Sequence, residues 1–430
     1  MLKLFIHAVY LAGIFLIPVA LPTTVQSSEI SVATTVNDPL TLPEAIRLTL
    51  EYNPRLSAAA HEIEAYDGAV VQAGVLPNPK ISIGGENLGN QRLEGGDGRV
   101  STLQIGQRIE LGDKRAARVA TVKERRERAV LTLAIERALV LADVGQRFVE
   151  VLTAQERLKL NNELFHLAEE TTRVVAEKVK AGKVMPLEAT KTEIAREAIR
   201  IRRNNTEREL AAARQVLAML WGENTPGFSV VTGDLTALPD IPDYPQLAER
   251  LVQSPVIQRW THRVAEREAG LNLAKAKAIP DVTITAGMKR LHELDEDAYT
   301  VGVTMPLSLF DRNQGGTGEA IGRLAQARDE QRNAELEAKT ALSLTWQRLT
   351  AARERVQALK TTVLPGAEQV FQAAQKGYRH GKFGLLDVLD AQRILFDAKS
   401  QYLTALTEFH RHVIELERLL GGALIPDAHL

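Results

Sequence analysis

The segment HGKFGLLDVLDAQ, residues 380–392, places Asp387 and Asp390 three positions apart just after a glycine-marked turn. On a helix that spacing puts both carboxylates on one face. Such a pair can do acid–base chemistry, hold a metal or line a polar surface. Hydrolysis would also need a pocket and substrate-orienting groups, and the neighbouring residues supply neither. The other chemistry-bearing residues read more plainly. His410 and His412 in HRHV point about 200° apart on a helix, so they cannot share a metal and read as surface histidines. Glu293, Asp295, Glu296 and Asp297 lack the glycine and spacing of an EF-hand and read as an exposed acidic loop. GGDG at 95–98 lacks the lysine and hydroxyl residue of a phosphate-binding loop and reads as a flexible tip. KERRER, 123–128, mixes signs at helical spacing and reads as a solvated helix face. Trp221 reads as packing a helix end. With no nucleophile–base set and no metal-ligand cluster, the expectation is a protein that is not an enzyme and has no cofactor.

Composition narrows the class. The 430 residues carry 53 basic and 54 acidic side chains, so no basic excess points to nucleic acid. Aromatics are 5 %, thin for one large core, while abundant Ala and Leu suit long packed helices. The absence of cysteine removes disulfides, thiolate metal sites and the acceptor for a lipoprotein anchor. Lys3 followed by LFIHAVYLAGIFLIPVALP and a polar stretch reads as a secretory signal peptide over 1–27. No later run is apolar enough for a spanning helix.

The elements that must position the aspartates come in two sets. Four blocks recur in the same order about 200 residues apart: YNPRL and QSPVI; AGVLPNPKISIGG and AKAIPDVTITAGM; QRIELGDKR and MPLSLFDRN; VKAGKVMPLEATK and YRHGKFGLLDVLD. Gly182 thereby faces Gly381, and Glu188 faces Asp387. The chain divides into a linker at 28–39, a first repeat at 40–220, an equatorial linker at 221–243, a second repeat at 244–423 and a tail at 424–430. Such a duplication implies two-fold pseudo-symmetry.

Each repeat reads as helix, strand pair, very long helix, tip turn and helix, with tips at about 181–186 and 381–385. From Asp113 to Lys180 nothing breaks the helical pattern, a length of roughly 100 Å. Leu131, Ile135, Ala138, Ala142, Gly145, Val149 and Leu152 step by four and three, as do Leu342, Thr345, Leu349, Ala352, Val356, Leu359 and Val363. These are coiled-coil seams. The strand-type segments, at about 80–108 and 281–308, alternate apolar and polar residues as in an outer-membrane β-barrel. Four strands cannot close a barrel, and lipid does not tolerate open edges. Without a membrane, the same pattern describes a soluble periplasmic coiled-coil scaffold capped by two hairpins.

Over its whole mature length the chain resembles the TolC-type outer-membrane efflux channels. The residues that carry the likeness are the duplicated layout, LTLPEAIRLTLEYNPRL and YRHGKFGLLDVLDAQ. LPNPKIS with ENLG, and then QRIELGDKRAAR, resemble the branch serving heavy-metal efflux of the cobalt–zinc–cadmium or copper–silver kind. The resemblance implies a mainly α protein with membrane β structure. Antiparallel coiled-coil helices would form a periplasmic tunnel, and four strands would enter the twelve-stranded barrel of a homotrimer. Its implied partners are a periplasmic adaptor, an inner-membrane RND-type transporter and outer-membrane lipid, with drug efflux or polypeptide secretion as the alternative task. It implies a gate at the tip, where Tyr378 and Gly381 match the YxxG pattern and Glu188, Asp387 and Asp390 match acidic residues ringing the entrance. Gly182, Lys183, Lys382 and Phe383 complete the tip turns and the adaptor-docking surface. Relatives carry an arginine where this chain has Phe383, so the ionic lock of their closed state has only Lys183 and Lys382 nearby to serve it.

Overall fold

The computed structural model describes residues 38–87 and 99–422. The expected signal peptide, the GGDG tip and the tail at 424–430 lie outside them. The first half contains β1 (Leu40–Thr41), α1 (Leu42–Tyr52), α2 (Pro54–Gly74), β2 (Lys80–Glu86), β3 (Val100–Ile109), α3 (Lys114–Lys180) and α4 (Pro186–Ala218). After β4 (Val231–Thr232) the order repeats as α5 (Tyr244–Val252), α6 (Pro255–Ala276), β5 (Val282–Leu291), β6 (Glu296–Thr304) and α7 (Gln314–Ala358). A π-helical turn, Leu359–Val363, leads into α8 (Leu364–Arg379), and α9 (Leu385–Leu420) follows the second tip. The widened turn sits just ahead of Pro365, which cannot donate to the preceding turn and whose ring crowds it. No described helix is long and apolar enough to cross a membrane.

Strands and helices share one lateral order. The sheet runs β2-β3-β5-β6, antiparallel throughout, and α2, α3, α6 and α7 pack side by side in the matching sequence. Each of these helices is the continuation of the strand beside it in the chain. Below them α3 pairs with α4, and α9 packs against α3, α7 and α8.

The seams are as expected but wider. Ala138, Ala142, Gly145, Val149 and Leu152 are buried, and so are Leu342, Thr345, Leu349, Ala352, Val356 and Leu359, whereas Val363 is exposed. Val140, Val144, Phe148 and Val151 are also sealed from water, because α3 is covered by α2, α4, α6 and α9 rather than by one partner. At Gly145 a Cβ would lie 3.2 Å from Ile414, so the missing side chain lets α3 and α9 approach closely.

Two sequence expectations are corrected here. KERRER is not merely a solvated face: Lys123 and Arg125 are exposed, but the run is tied to neighbouring helices. Arg125 reaches Glu266 at 2.8 Å, Arg128 binds the same carboxylate, Arg126 meets Asp67 at 2.6 Å and Glu124 meets His262 at 2.8 Å. Glu266 is 5 % exposed, so this run fastens α3 to α2 and α6. The sequence shows the charges but not their partners, Asp67 on α2 and Glu266 and His262 from the other repeat. His410, too, is not on the surface. It is 3 % exposed, and its Nε2–H donates to the Leu235 carbonyl at 2.9 Å.

That bond is one of several fixing the segment between the repeats. Gln155 on α3 holds Val231 by both backbone groups, at 2.8 and 2.9 Å. Asp38 accepts from the Ser229 hydroxyl and from the backbone N–H groups of Ser229 and Val230. β1 then pairs in parallel with β4, and Trp221 packs at a helix end against Phe228, as its sequence position suggested. Burial holds the His410 pKa below its ordinary value, against the opposing pull of the Leu235 carbonyl and Asp234. Its ring is therefore neutral when folded. The unfolded ring takes up a proton below about pH 6.5, so the stability that depends on this site is present above that pH and lost as pH falls. Thermal unfolding followed from pH 8 to pH 5 should show this acid loss, and His410→Gln should flatten it.

Candidate functional site

Two regions can do something: the sheet and the helical tip. The sheet has one apolar face. In register across the strands lie Ile81, Ile105, Ala286 and Val301, and beside them Ile83, Leu103, Met288 and Tyr299. Ile284 and Val303 extend the band on one side, and Ser101, Arg290 and Asp297 bound it on the other. The opposite face carries Ser82, Gln104, Gly287 and Thr300, then Thr102 and Lys289. This is the period-two alternation of a sheet with lipid on one side and water on the other. The apolar residues of the edge strands are barest, Ile83 at 83 % and Tyr299 at 84 % exposed. Gly287 is required by close approach, since a Cβ there would stand 2.7 Å from the Leu103 carbonyl oxygen. Of the acidic run, Glu293 and Asp295 lie in the turn while Glu296 and Asp297 begin β6, and Arg290 binds both Asp295 and Asp297.

Both tips end in the same device. After α3, Gly182 at φ +67° lets its N–H reach the Val179 carbonyl, and the Lys183 N–H reaches Lys178. After α8, Gly381 at φ +70° bonds Tyr378, and the Lys382 N–H reaches Gly377. This is the Schellman closure, which needs a left-handed residue where these glycines stand. Pro186 then starts α4 at its first helical position, where its lack of an N–H costs nothing.

The tips differ in what their side chains do. An apolar knot of Val175, Ala374, Tyr378, Leu385, Val388 and Ala391 ties the two hairpins together. Lys178 lies 3.7 Å over the Tyr378 ring and donates to its carbonyl at 3.4 Å. Among the described residues, the Tyr378 hydroxyl and Glu188 Oε2 are both out of water without a hydrogen-bond partner. Burial, and then the charge of Glu188, hold the Tyr378 phenol above its ordinary pKa. Glu188 is thus turned inward toward the other repeat.

Asp387 and Asp390 share an exposed face, as their spacing predicted. Each is engaged: Asp387 Oδ2 accepts the Gly384 N–H at 2.8 Å, capping its own helix, and Asp390 meets Arg393 at 2.9 Å. Phe383 folds back over Gly377, where a Cβ would strike its ring. Lys183 and Lys382 are exposed at the turn ends, as are Leu187 and Leu386 at equivalent positions of the two repeats. The capping bond and the Lys178–Tyr378 contact were missed from sequence. The spacing of Gly384 and Asp387, a small residue with a carboxylate three positions on, is the signal that could have found the first.

A lipid-facing antiparallel sheet continuing into paired helices of about 100 Å defines one protomer of a β-barrel and α-tunnel channel. The family model described as "Outer membrane efflux protein" matches residues 45–223 and 247–422, and the chain belongs to that family. Its place is the outer membrane, with the helices extending into the periplasm. It is 37 % identical over 390 residues to the cobalt-zinc-cadmium resistance protein CzcC of Cupriavidus metallidurans, covering 89 % of this chain and 90 % of that one. It is 27 % identical to the nickel and cobalt resistance protein CnrC of the same organism, over 77 % and 75 % of the two chains. Among solved structures, CusC matches with a TM-score of 0.76 at 19 % identity, over 91 % of this chain and 94 % of that one. VceC of Vibrio cholerae matches with a TM-score of 0.73 at 17 % identity, over 89 % and 97 %. The first two are named as metal resistance proteins, and the two solved proteins share the fold of this chain.

The capping bond has a measurable consequence. Asp387→Ala should cost the first turn of α9 about 0.5–1 kcal/mol, seen as faster amide hydrogen exchange at Gly384, and Asp387→Asn should recover part of it.

Proposed function

We propose that the chain is the passive exit duct of a heavy-metal efflux system, assembled as a homotrimer with a twelve-stranded barrel. The observation that carries the cargo is the 37 % identity to a cobalt-zinc-cadmium resistance protein across nine-tenths of both chains. The sheet supports the assembly, because β2 and β6 leave backbone groups unpaired at both edges, a condition lipid does not tolerate. Energy and substrate choice come from an inner-membrane RND-type transporter, reached through a periplasmic adaptor. The exposed apolar residues at the tips, Leu187, Leu386 and Phe383 with Met185, suit such a docking surface, flanked by Lys183 and Lys382. The duct performs no catalysis of its own.

At the tip, three copies of Asp387 and Asp390 form an acidic collar that concentrates cations at the entrance. Glu188 lies behind it, facing Tyr378 across the two hairpins. With Phe383 packed on Gly377 in place of an arginine, the tips are held by the apolar knot and the Lys178–Tyr378 contact rather than by an ionic lock.

In planar bilayers, Asp387→Asn with Asp390→Asn should lower cation selectivity and block by multivalent cations. Asn at 387 keeps an oxygen for the Gly384 N–H, so unchanged selectivity would remove these carboxylates from the pore. Deleting the gene should sensitise cells to zinc, cobalt or cadmium. Sensitivity confined to solvents and antibiotics would exclude metal as the cargo and favour the organic-toxin task.

A further inference from the structure

Where the first repeat leaves the sheet, it makes a contact whose duplicate is missing. The β3–β5 ladder ends at Ile109 and Val282. Just beyond, Gly112 lies so close to Ile279 that a Cβ would come within 2.5 Å of it. Asp281 accepts from Lys114 Nζ at 2.5 Å and from the Leu111 N–H at 3.3 Å. The join between the repeats is thus an apolar seat beside a polar clasp.

The duplication supplies a counterpart for each position. Setting QRIELGDKR against MPLSLFDRN pairs Gly112 with Phe310 and Lys114 with Arg312. Setting VLPNP against AIPDV at their shared proline pairs Ile279 with Leu76 and Asp281 with Asn78. Within one chain these counterparts lie at opposite edges of the sheet: 305–312 follows β6, and 75–79 precedes β2. Phe310 is 90 % exposed and Leu76 63 %.

Three antiparallel pairings in a row give β2 and β6 opposite directions. A β6 edge of one copy therefore meets a β2 edge of the next in the antiparallel sense, with both flanking segments on the helical side. Backbone pairing cannot extend into those segments, because Pro79 and Pro306 lack an N–H. Side chains must hold the join there.

We propose that Phe310 of one copy seats on Leu76 of the adjacent copy, with Arg312 donating to the Asn78 side-chain oxygen. This repeats, between chains, the Gly112–Ile279 and Lys114–Asp281 contact seen within one. It rests on the closed multi-copy barrel proposed above. A second copy is favoured over lipid because the equivalent positions already meet inside the chain and the adjoining strand edges must be paired. The aromatic ring supplies bulk where the internal join has a glycine, so the seam between chains is filled from the opposite side.

The test uses Leu76→Cys with Phe310→Cys in a chain that has no other cysteine. Within one copy the two positions stand three strand spacings apart, about 14 Å, beyond the roughly 7 Å Cα separation a disulfide can bridge. Oxidation of isolated outer membranes should yield covalent dimers and trimers on a non-reducing denaturing gel, with none from either single variant. Light scattering of the unoxidised double variant in detergent separates the two failures. An oligomer without covalent species overturns the contact alone, whereas a monomer overturns the barrel reading and the contact with it. Labelling of Phe310→Cys by a bilayer-dissolved maleimide would place the side chain in lipid and overturn the contact as well.

Discussion

The unpaired backbone at the two edges of a four-stranded sheet is the constraint on which the rest of this molecule depends. In water such edges can be tolerated; beside lipid each lost hydrogen bond costs several kcal/mol. A sheet with Ile83 and Tyr299 laid bare on one face must therefore be completed by further strands. The lateral order then passes downward, because α2, α3, α6 and α7 inherit the sequence of the strands they continue. The tunnel wall is arranged by the barrel above it.

The duplicated chain keeps its geometry and varies its chemistry. Both tips close with the same hydrogen bonds around Gly182 and Gly381. The carboxylates that follow at equivalent positions diverge. Glu188 is drawn toward Tyr378 in the neighbouring hairpin, while Asp387 turns back to cap its own helix. One copy of the motif sets its carboxylate near the other hairpin, and the other presents charge outward. The join between the repeats follows the same logic, with Gly112 and Phe310 as two solutions to one packing problem.

Much of the fold was legible because it rests on periodicity. The α3 pattern from 114 to 180, the two strand pairs and the tip glycines all follow from spacing and turn chemistry within short windows. The acidic face of Asp387 and Asp390 was legible for the same reason. What sequence could not show depends on residues brought from far along the chain. His410 reads as a surface residue once HRHV fails as a metal pair, yet the linker carrying Leu235 covers it. KERRER looked solvated because Glu266, which lies 138 residues from Arg128, had no visible link to it. The inward turn of Glu188 likewise needed the other hairpin to be in place.

The strand count carries one more consequence, a matter of parity. Because β2 and β6 run in opposite directions, an even number of crossings returns the chain to the side from which it started, and α2 and α7 lie on the same side of the sheet. One strand more or fewer would deliver the second half of the helices to the far side of the membrane. Such a protein can be lengthened only two strands at a time. A helix, a hairpin and a returning helix form the smallest step that obeys that arithmetic, and this chain consists of that step taken twice.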